Sequence, residues 1–312
     1  MQKGNITDIS EFLLLGLSEQ SEQQPILFGL FLAMYLITVL GNPLIILAII
    51  SNSHLHSPMY FFLANLSFVD TCFTCTTVPK MLMNIWTQHQ NISYAGCLTQ
   101  MDFFMTFALL DDFLLAAMAY DRYIAICLPL HYTMVMSPLH CVLLVTVSWL
   151  CSHFIALSLT LFMAQFSCRS HVIPHFFCDL LPLLKLSCSD TTIFQVMMFI
   201  NASLAGFIPF TCILFSYIHI IFTIFKVPSA DLKHKIFSTC GSHLSVVILF
   251  YGTLILVYLQ PSSSYSADTR IIASVMYTVV TPMLNPFIYS LRNKDIKRAL
   301  RKLFSRGMVP SW

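Results

Sequence analysis

The chain has 312 residues, 57% of them hydrophobic and 10% charged, with a formal net charge of +2 and a mean hydropathy of +0.77. Soluble globular domains carry roughly a quarter of their residues as charges, so this composition excludes a water-soluble domain, and its near-neutral balance gives no sign of a nucleic-acid partner. A helix needs ~20 mostly apolar residues to cross a hydrocarbon core of about 30 Å, and the sequence holds seven such runs.

Before the first run stands Asn5-Ile6-Thr7, an N-glycosylation sequon. No cationic stretch leads into an apolar run with a small-residue cleavage site, so the first hydrophobic segment reads as a retained signal anchor. Spans are predicted at Ile26–Ile50, Met59–Met81, Leu98–Cys127, His140–Phe162, Ile193–Phe225, Ile236–Leu259 and Ile271–Leu291. Lys226, Lys233 and Lys235 precede the sixth span, and Arg292, Lys294, Lys297, Arg298, Arg301, Lys302 and Arg306 follow the seventh. Excess Lys and Arg mark cytoplasmic ends, which leaves the N-terminus and Asn5 outside. A second sequon, Asn91-Ile92-Ser93, falls in an outer loop, whereas Asn65 and Asn201 begin sequons inside spans. The predicted division is an extracellular N-terminus over 1–25, a seven-span domain over 26–291 and a cytoplasmic helix and tail over 292–312. In the last part, Lys294 to Phe304 reads as a short amphipathic helix, with Ile296, Leu300, Leu303 and Phe304 toward lipid and Lys297, Arg298, Arg301 and Lys302 toward anionic headgroups.

Ionisable groups inside a bilayer are expensive unless they face the bundle interior, which singles out Asp70, Asp111, Asp112 and Arg122. In the third span Phe104, Ala108, Asp111, Leu115, Met118 and Arg122 recur at steps of three and four and share one helical face. Asp70 and Asp111, with Asn42 and Asn285, are expected to converge at mid-membrane, where two carboxylates need either a cation such as sodium or a shared proton. Asp112 has no partner evident in the sequence and is assigned a contact with the fourth or fifth span. Cys97, Cys168, Cys178 and Cys188 all fall on the outer, oxidising side, where four cysteines permit three disulfide connectivities.

The third span ends in Met118-Ala119-Tyr120-Asp121-Arg122-Tyr123-Ile124-Ala125-Ile126-Cys127. Leu55-His56-Ser57-Pro58-Met59-Tyr60-Phe61-Phe62-Leu63 opens the second, Phe237-Ser238-Thr239-Cys240-Gly241-Ser242-His243-Leu244 opens the sixth, and Pro282-Met283-Leu284-Asn285-Pro286-Phe287-Ile288-Tyr289-Ser290-Leu291-Arg292-Asn293 closes the seventh. Together these strings resemble the signatures of olfactory receptors, tetrapod type, within the rhodopsin-like class of G-protein-coupled receptors. The similarity runs from Gly41-Asn42 to Arg292-Asn293. The chain departs from that pattern at Asp111, where many members carry Glu, at Asp112, where a small residue is usual, and in Ser229-Ala230-Asp231-Leu232-Lys233, where a Gly-Arg pair is common.

The resemblance implies an all-α membrane protein, a seven-helix bundle with a short amphipathic C-terminal helix. It implies disulfides Cys97–Cys178 and Cys168–Cys188, and a pocket lined by Phe104, Met105, Ala108 and Leu109, by Asn201, Ala202 and Ala205, by Tyr251, Leu254, Ile255 and Tyr258, and by Thr278. Such a lining is apolar and aromatic with few hydrogen-bonding groups, which suits a small neutral volatile molecule. Amine receptors of this class carry an acid at the place of Phe104. The implied switch comprises Asp121, Arg122, Tyr123, Tyr217, Tyr251, Asn285, Pro286 and Tyr289, with Arg122 released from Asp121 toward Tyr217 and Tyr289 on activation. The implied partners are an odorant, a heterotrimeric stimulatory G protein of the olfactory type that raises cyclic AMP, and membrane lipids; the implied location is the plasma membrane of sensory cilia. No cofactor is expected beyond a sodium ion at Asp70 and Asp111.

A same-fold receptor for a metabolite in another tissue is the alternative reading. A channel or transporter fits less well, because the sequence has an odd number of spans, no evident inverted repeat and no series of charges through the bundle. A membrane enzyme fits least, in the absence of a metal-binding His-Glu-His pattern or a nucleophile elbow.

Overall fold

The computed structural model describes residues 10–17, 21–166, 170–188, 190–258 and 267–307. Seven helices in it are long and apolar enough to cross a membrane. They are α1 (Gln24–Ile50), α2 (Pro58–Thr87), α3 (Tyr94–Cys127), α4 (Pro138–Met163), α5 (Thr192–Ala202, a π segment Ser203–Phe207 and Ile208–Lys226), α6 (Ala230–Tyr258) and α7 (Ala267–Val275, a π segment Met276–Val280 and Thr281–Arg292). An eighth, α8 (Lys294–Gly307), follows the bundle.

Local chemistry starts and stops these helices. Pro58 and Pro138 occupy first-turn positions, where a missing N–H costs nothing. Ser93 and Ser137 cap α3 and α4 by accepting from the backbone N–H groups of Gly96 and His140. Gln88, in the left-handed region at φ 57°, ends α2. The helices overrun the predicted spans, with α2 reaching Thr87 rather than Met81, α3 starting at Tyr94 rather than Leu98 and α6 starting at Ala230 rather than Ile236. Hydropathy marks where lipid ends, whereas backbone hydrogen bonding carries a helix on into water.

The two π segments each sit just before a proline, Pro209 in α5 and Pro282 in α7. Proline offers no N–H to the carbonyl four residues back, and a widened turn is one way to re-satisfy the ladder. Pro286 lies within the last helical part of α7 and packs on α1: a Cβ added to Gly41 would stand 3.3 Å from the Pro286 ring. Glycine there lets the two helices approach, and Asn42 Nδ2 donates across the same contact to the Pro282 carbonyl at 3.3 Å.

Three strands too short for sequence periodicity add to the helices at the end of the bundle that carries the N-terminal segment, the end that the Lys and Arg distribution predicts to be outer. β1 (Glu11–Leu14) pairs antiparallel with β2 (Asn91–Ser93) and parallel with β3 (Val172–Ile173). This sheet engages the second sequon. Asn91 Nδ2 donates to Glu11 Oε2 at 3.2 Å, and the Ser93 hydroxyl is the α3 cap. Asn5 lies outside the described residues.

Burial is arranged as lipid requires. Thr38, Asn42, Asp70, Asp111, Asp112 and Asn285 are buried, while Leu30, Leu143, Phe222 and Ile248 are exposed on the outside of the bundle. Water would penalise that exposure and lipid accepts it, while the interior must pair its polar groups. One large core joins α1, α2, α3, α6 and α7, and a smaller one gathers Phe12, Leu14, Cys97, Ile173, Cys178 and Phe194 under the sheet. α8 differs from its prediction. Ile296, predicted to face lipid, is buried against the bundle beside Ala299, because α8 folds back onto α1, while Lys297, Arg298, Arg301 and Lys302 stay exposed.

Candidate ligand pocket and switch network

Besides the pairing of β3 with β1, the second outer loop is tied down by a disulfide and by hydrogen bonds at Gln100 and Ser274. Cys97 and Cys178 form a disulfide with Cα atoms 5.4 Å apart. The Cys178 N–H donates to Gln100 Oε1 at 2.9 Å, and Gln100 Nε2 donates to the Thr76 carbonyl at 2.9 Å, which joins the loop to α3 and α2. His175 Nε2 lies 3.1 Å from the Ser274 hydroxyl of α7. Burial, and then the charge of Arg270, hold the His175 ring down at about 4, so it is neutral at pH 7. Cys188 is an exposed free thiol and Cys168 lies outside the described residues, so the second disulfide rests on resemblance alone.

From that loop a run of ring contacts descends into the bundle. Phe177 meets Phe104 at 4.7 Å, Phe104 stacks on Phe73 at 4.9 Å, and Phe73 meets Tyr277 edge-on at 5.3 Å. Tyr277 reaches Phe250 at 5.9 Å, and Phe250 is 5.3 Å from Tyr251, which Phe210 of α5 also touches at 4.9 Å. Among the predicted lining residues, Phe104, Ala205 and Thr278 are buried, and Met105, Ala108, Leu109, Asn201, Tyr251 and Leu254 are half-buried. Thr278 spends its hydroxyl on the Ser274 carbonyl of its own helix. Ala202 and Ile255 are exposed, so the bundle does not enclose them, and the Tyr258 side chain lies outside the described residues. Phe73, Phe177, Phe250 and Tyr277 were not singled out from sequence; each is one phenyl or phenol among many, and only tertiary contact lines them up.

At the end of this run the Tyr251 hydroxyl donates to Asp112 Oδ1. That corrects the assignment of Asp112 to the fourth or fifth span: its partner is on α6, across the base of the aromatic run. Gly252 beside Tyr251 has open space around its Cα, so packing does not demand glycine there.

Below lies the carboxylate layer. Asn285 Nδ2 donates to both Asp70 oxygens, at 3.0 and 2.9 Å. Asp111 Oδ1 is buried without a hydrogen-bond partner among the described residues, within electrostatic reach of Asp70 and Asp112. Asn42 does not join them; its amide donates to the Thr38 and Pro282 carbonyls. A buried, unpaired carboxylate oxygen near a second carboxylate fits a small cation or a proton.

At the inner end, Arg122 pairs with Asp121 at 3.8 Å, and the Tyr132 hydroxyl donates to the other oxygen of Asp121 at 2.8 Å. Burial, reinforced by Asp121, pushes the Tyr132 phenol up, so it remains a donor. Tyr123 sits edge-on to Phe215 and His219 of α5. Pro286 and Tyr289 are buried, and the Tyr289 hydroxyl has no hydrogen-bond partner among the described residues. Tyr217 is engaged by His243 of α6. His243 Nε2 is 3.1 Å from the Leu115 carbonyl and Nδ1 is 2.7 Å from the Tyr217 hydroxyl. A carbonyl only accepts, so Nε2 carries the proton and Nδ1 accepts from Tyr217. One imidazole thus clasps α3, α5 and α6. Its signal in the sequence was a histidine three and seven residues before Val246 and Phe250, on the buried face of α6.

Three comparisons bear on this arrangement. A family model described as olfactory receptor matches residues 31–307. Human olfactory receptor 7C1 is 61% identical over 308 residues, covering 98% of this chain and 96% of its own, and mouse olfactory receptor 1M1 is 59% identical over the full length of both. Squid rhodopsin shares the fold with a TM-score of 0.68 over 90% of this chain and 85% of its own, at 18% identity.

Proposed function

The chain belongs to the olfactory receptor family and is a multi-pass membrane protein, and from that premise we propose that it binds a small, mostly neutral odorant beside Phe104 and passes binding to a stimulatory G protein that raises cyclic AMP. The observation that carries this reading is the unbroken aromatic run from Phe177 to Tyr251, ending on the Tyr251–Asp112 hydrogen bond. An agonist shifts a two-state equilibrium only by binding one state better. A molecule seated between Phe104, Met105 and Leu254 meets Tyr251 at its floor, and the active state is the one in which Tyr251 turns from Asp112 toward the ligand.

Release of that bond frees α6 from α3 at mid-membrane. Lower on the same helix His243 leaves Leu115 and Tyr217, so that Tyr217 becomes available to Arg122 as Arg122 parts from Asp121. The vacated inner cleft receives the G protein. The N-terminus and Asn5 face outside, and α8 rests its exposed Lys297, Arg298, Arg301 and Lys302 on anionic headgroups of the inner leaflet. In the resting state Asp70 and Asp111 hold a sodium ion, which supplies the positive charge that two buried carboxylates lack. The receptor works in the plasma membrane of sensory cilia.

The test is cyclic AMP in cells that express the chain with an olfactory stimulatory G protein, during a screen of small volatile molecules, with Arg122→Ala beside it. A ligand-dependent rise that the variant loses supports the reading. Silence at confirmed surface levels moves the assignment to a non-volatile metabolite or another G protein.

A further inference from the structure

The lining face of α3 does not end at Leu109. Met105, Ala108, Leu109 and Asp112 recur at steps of three and four, so Asp112 is the next position down the same face. Met105, Ala108 and Leu109 keep part of their surface uncovered, whereas Leu110, Asp111, Leu114 and Leu115 around them are buried. Across from them Tyr251 and Leu254, one turn apart on α6, are likewise half-buried, and the Tyr251 hydroxyl donates to Asp112 Oδ1. The uncovered strip of α3 thus runs down onto the Tyr251–Asp112 pair. Asp112 itself is only 5% exposed, and among the described residues Tyr251 is the donor that reaches it. With so little access for water, a Tyr251 hydroxyl that turns away leaves a buried acceptor unpaired, which costs more than the bond itself contributed. The switch described under the proposed function includes that turn, and something must replace the lost donor.

Resting on that reading, we propose that the odorant carries a hydroxyl group and that Asp112 is the residue that selects for it. A hydroxyl is both donor and acceptor. Its O–H takes the place of Tyr251 on Asp112 while its oxygen accepts from the freed Tyr251 hydroxyl, so all three groups keep a partner. An aldehyde, ketone, ester or ether offers only an acceptor; it takes the Tyr251 hydrogen and leaves Asp112 bare. A hydrocarbon satisfies neither group. A cationic amine brings donors and no acceptor, which leaves the freed Tyr251 hydroxyl without a partner. The class that remains is a small alcohol or phenol whose apolar body rests on Met105, Ala108 and Leu254. A site that hydrogen-bonds a ligand hydroxyl rejects the analogue without it far more strongly than an apolar wall rejects one methylene.

The experiment uses the full-length receptor with two sets of matched probes: 1-octanol, octanal and methyl heptyl ether, and 2-phenylethanol, phenylacetaldehyde and benzyl methyl ether. Each probe is read twice, by the thermal midpoint of the purified receptor in lipid nanodiscs and by cyclic AMP in cells. In at least one set the alcohol should bind and act at about a tenfold lower concentration than its aldehyde and ether. Asp112→Leu should erase that ratio, and Asp112→Asn, which keeps an acceptor oxygen, should retain most of it. Tyr251→Phe, which keeps the ring and removes the hydroxyl, should widen it, since only the alcohol then has a bond left at the floor. The ratio is taken within each variant, so a shift in basal signalling or in stability cancels. An ether or aldehyde as potent as the alcohol, a preference that survives Asp112→Leu, or no alcohol binding in either set overturns the proposal. Alcohol-selective binding without cyclic AMP keeps Asp112 as the selecting residue and removes the signalling reading, while cyclic AMP without an alcohol preference removes the selection alone.

Discussion

The outer and inner halves of the bundle are held together by different kinds of bond. Outside, a disulfide, a three-stranded sheet and the Gln100 bridge fix the second loop to α2 and α3. Inside, the contacts are exchangeable: a 3.8 Å ion pair and one loop phenol on Asp121 at the end of α3, and one imidazole of α6 between Tyr217 of α5 and Leu115 of α3. A pre-organised input end lowers the ordering entropy that a weakly interacting volatile ligand must overcome. An output end built from polar pairs that can trade partners is what a switch needs. The first half should therefore fail as folding when it is cut, and the second as signalling.

The largest effect is expected inside. Arg122→Ala should abolish agonist-driven cyclic AMP, a loss of roughly a hundredfold or more for an arginine that couples two states separated by several kcal/mol, with surface level largely intact. A normal response from this variant would remove the arginine from the switch. Next comes the outer half. Cys97→Ser should cut surface delivery about tenfold, since loss of a disulfide that closes a long loop costs roughly 2–5 kcal/mol. Normal delivery with full response would show that Gln100 and the sheet hold the loop unaided.

Between the halves stands Asp112, and two substitutions there separate hydrogen bonding from charge. Asp112→Leu removes the acceptor for Tyr251 and should raise basal cyclic AMP a few-fold, about what one lost buried hydrogen bond allows. Asp112→Asn keeps an acceptor oxygen and should stay near the resting level. Equal basal signalling from both would mean that the carboxylate charge, rather than the bond to Tyr251, sets the resting state.

The same division governs what could be read from sequence. The seven spans were legible because lipid imposes a length and a composition that hydropathy counts directly, and helix overruns such as Met81 to Thr87 were not, because beyond lipid the backbone follows its own hydrogen bonds. Strands of two to four residues are below any usable period. Single ionisable residues stood out by their cost in lipid, and their partners did not: the pairing of Asp112 with Tyr251, or of His243 with Tyr217, depends on how two helices rotate against each other. Ile296 was misplaced for the same reason, since an amphipathic pattern gives α8 an apolar face without saying whether lipid or α1 covers it.

The smallest expected effect sharpens the outer half alone. His175 is buried, its ring held at about 4 against an unperturbed 6.5, with Arg270 opposing its charge and Ser274 bonded to Nε2. The sign follows from proton binding: between these two values the unfolded chain takes up a proton that the folded loop refuses, so stability is greatest above pH 6.5 and declines as pH falls toward 4. The thermal midpoint of the purified receptor should therefore drop by a few degrees between pH 7 and pH 5. His175→Gln, which keeps a group able to bond Ser274 and has no charge to gain, should flatten that dependence while leaving the Arg122 switch untouched. An unchanged pH slope in this variant would place the titrating group elsewhere and leave the disulfide, Gln100 and the sheet as the loop's working anchors.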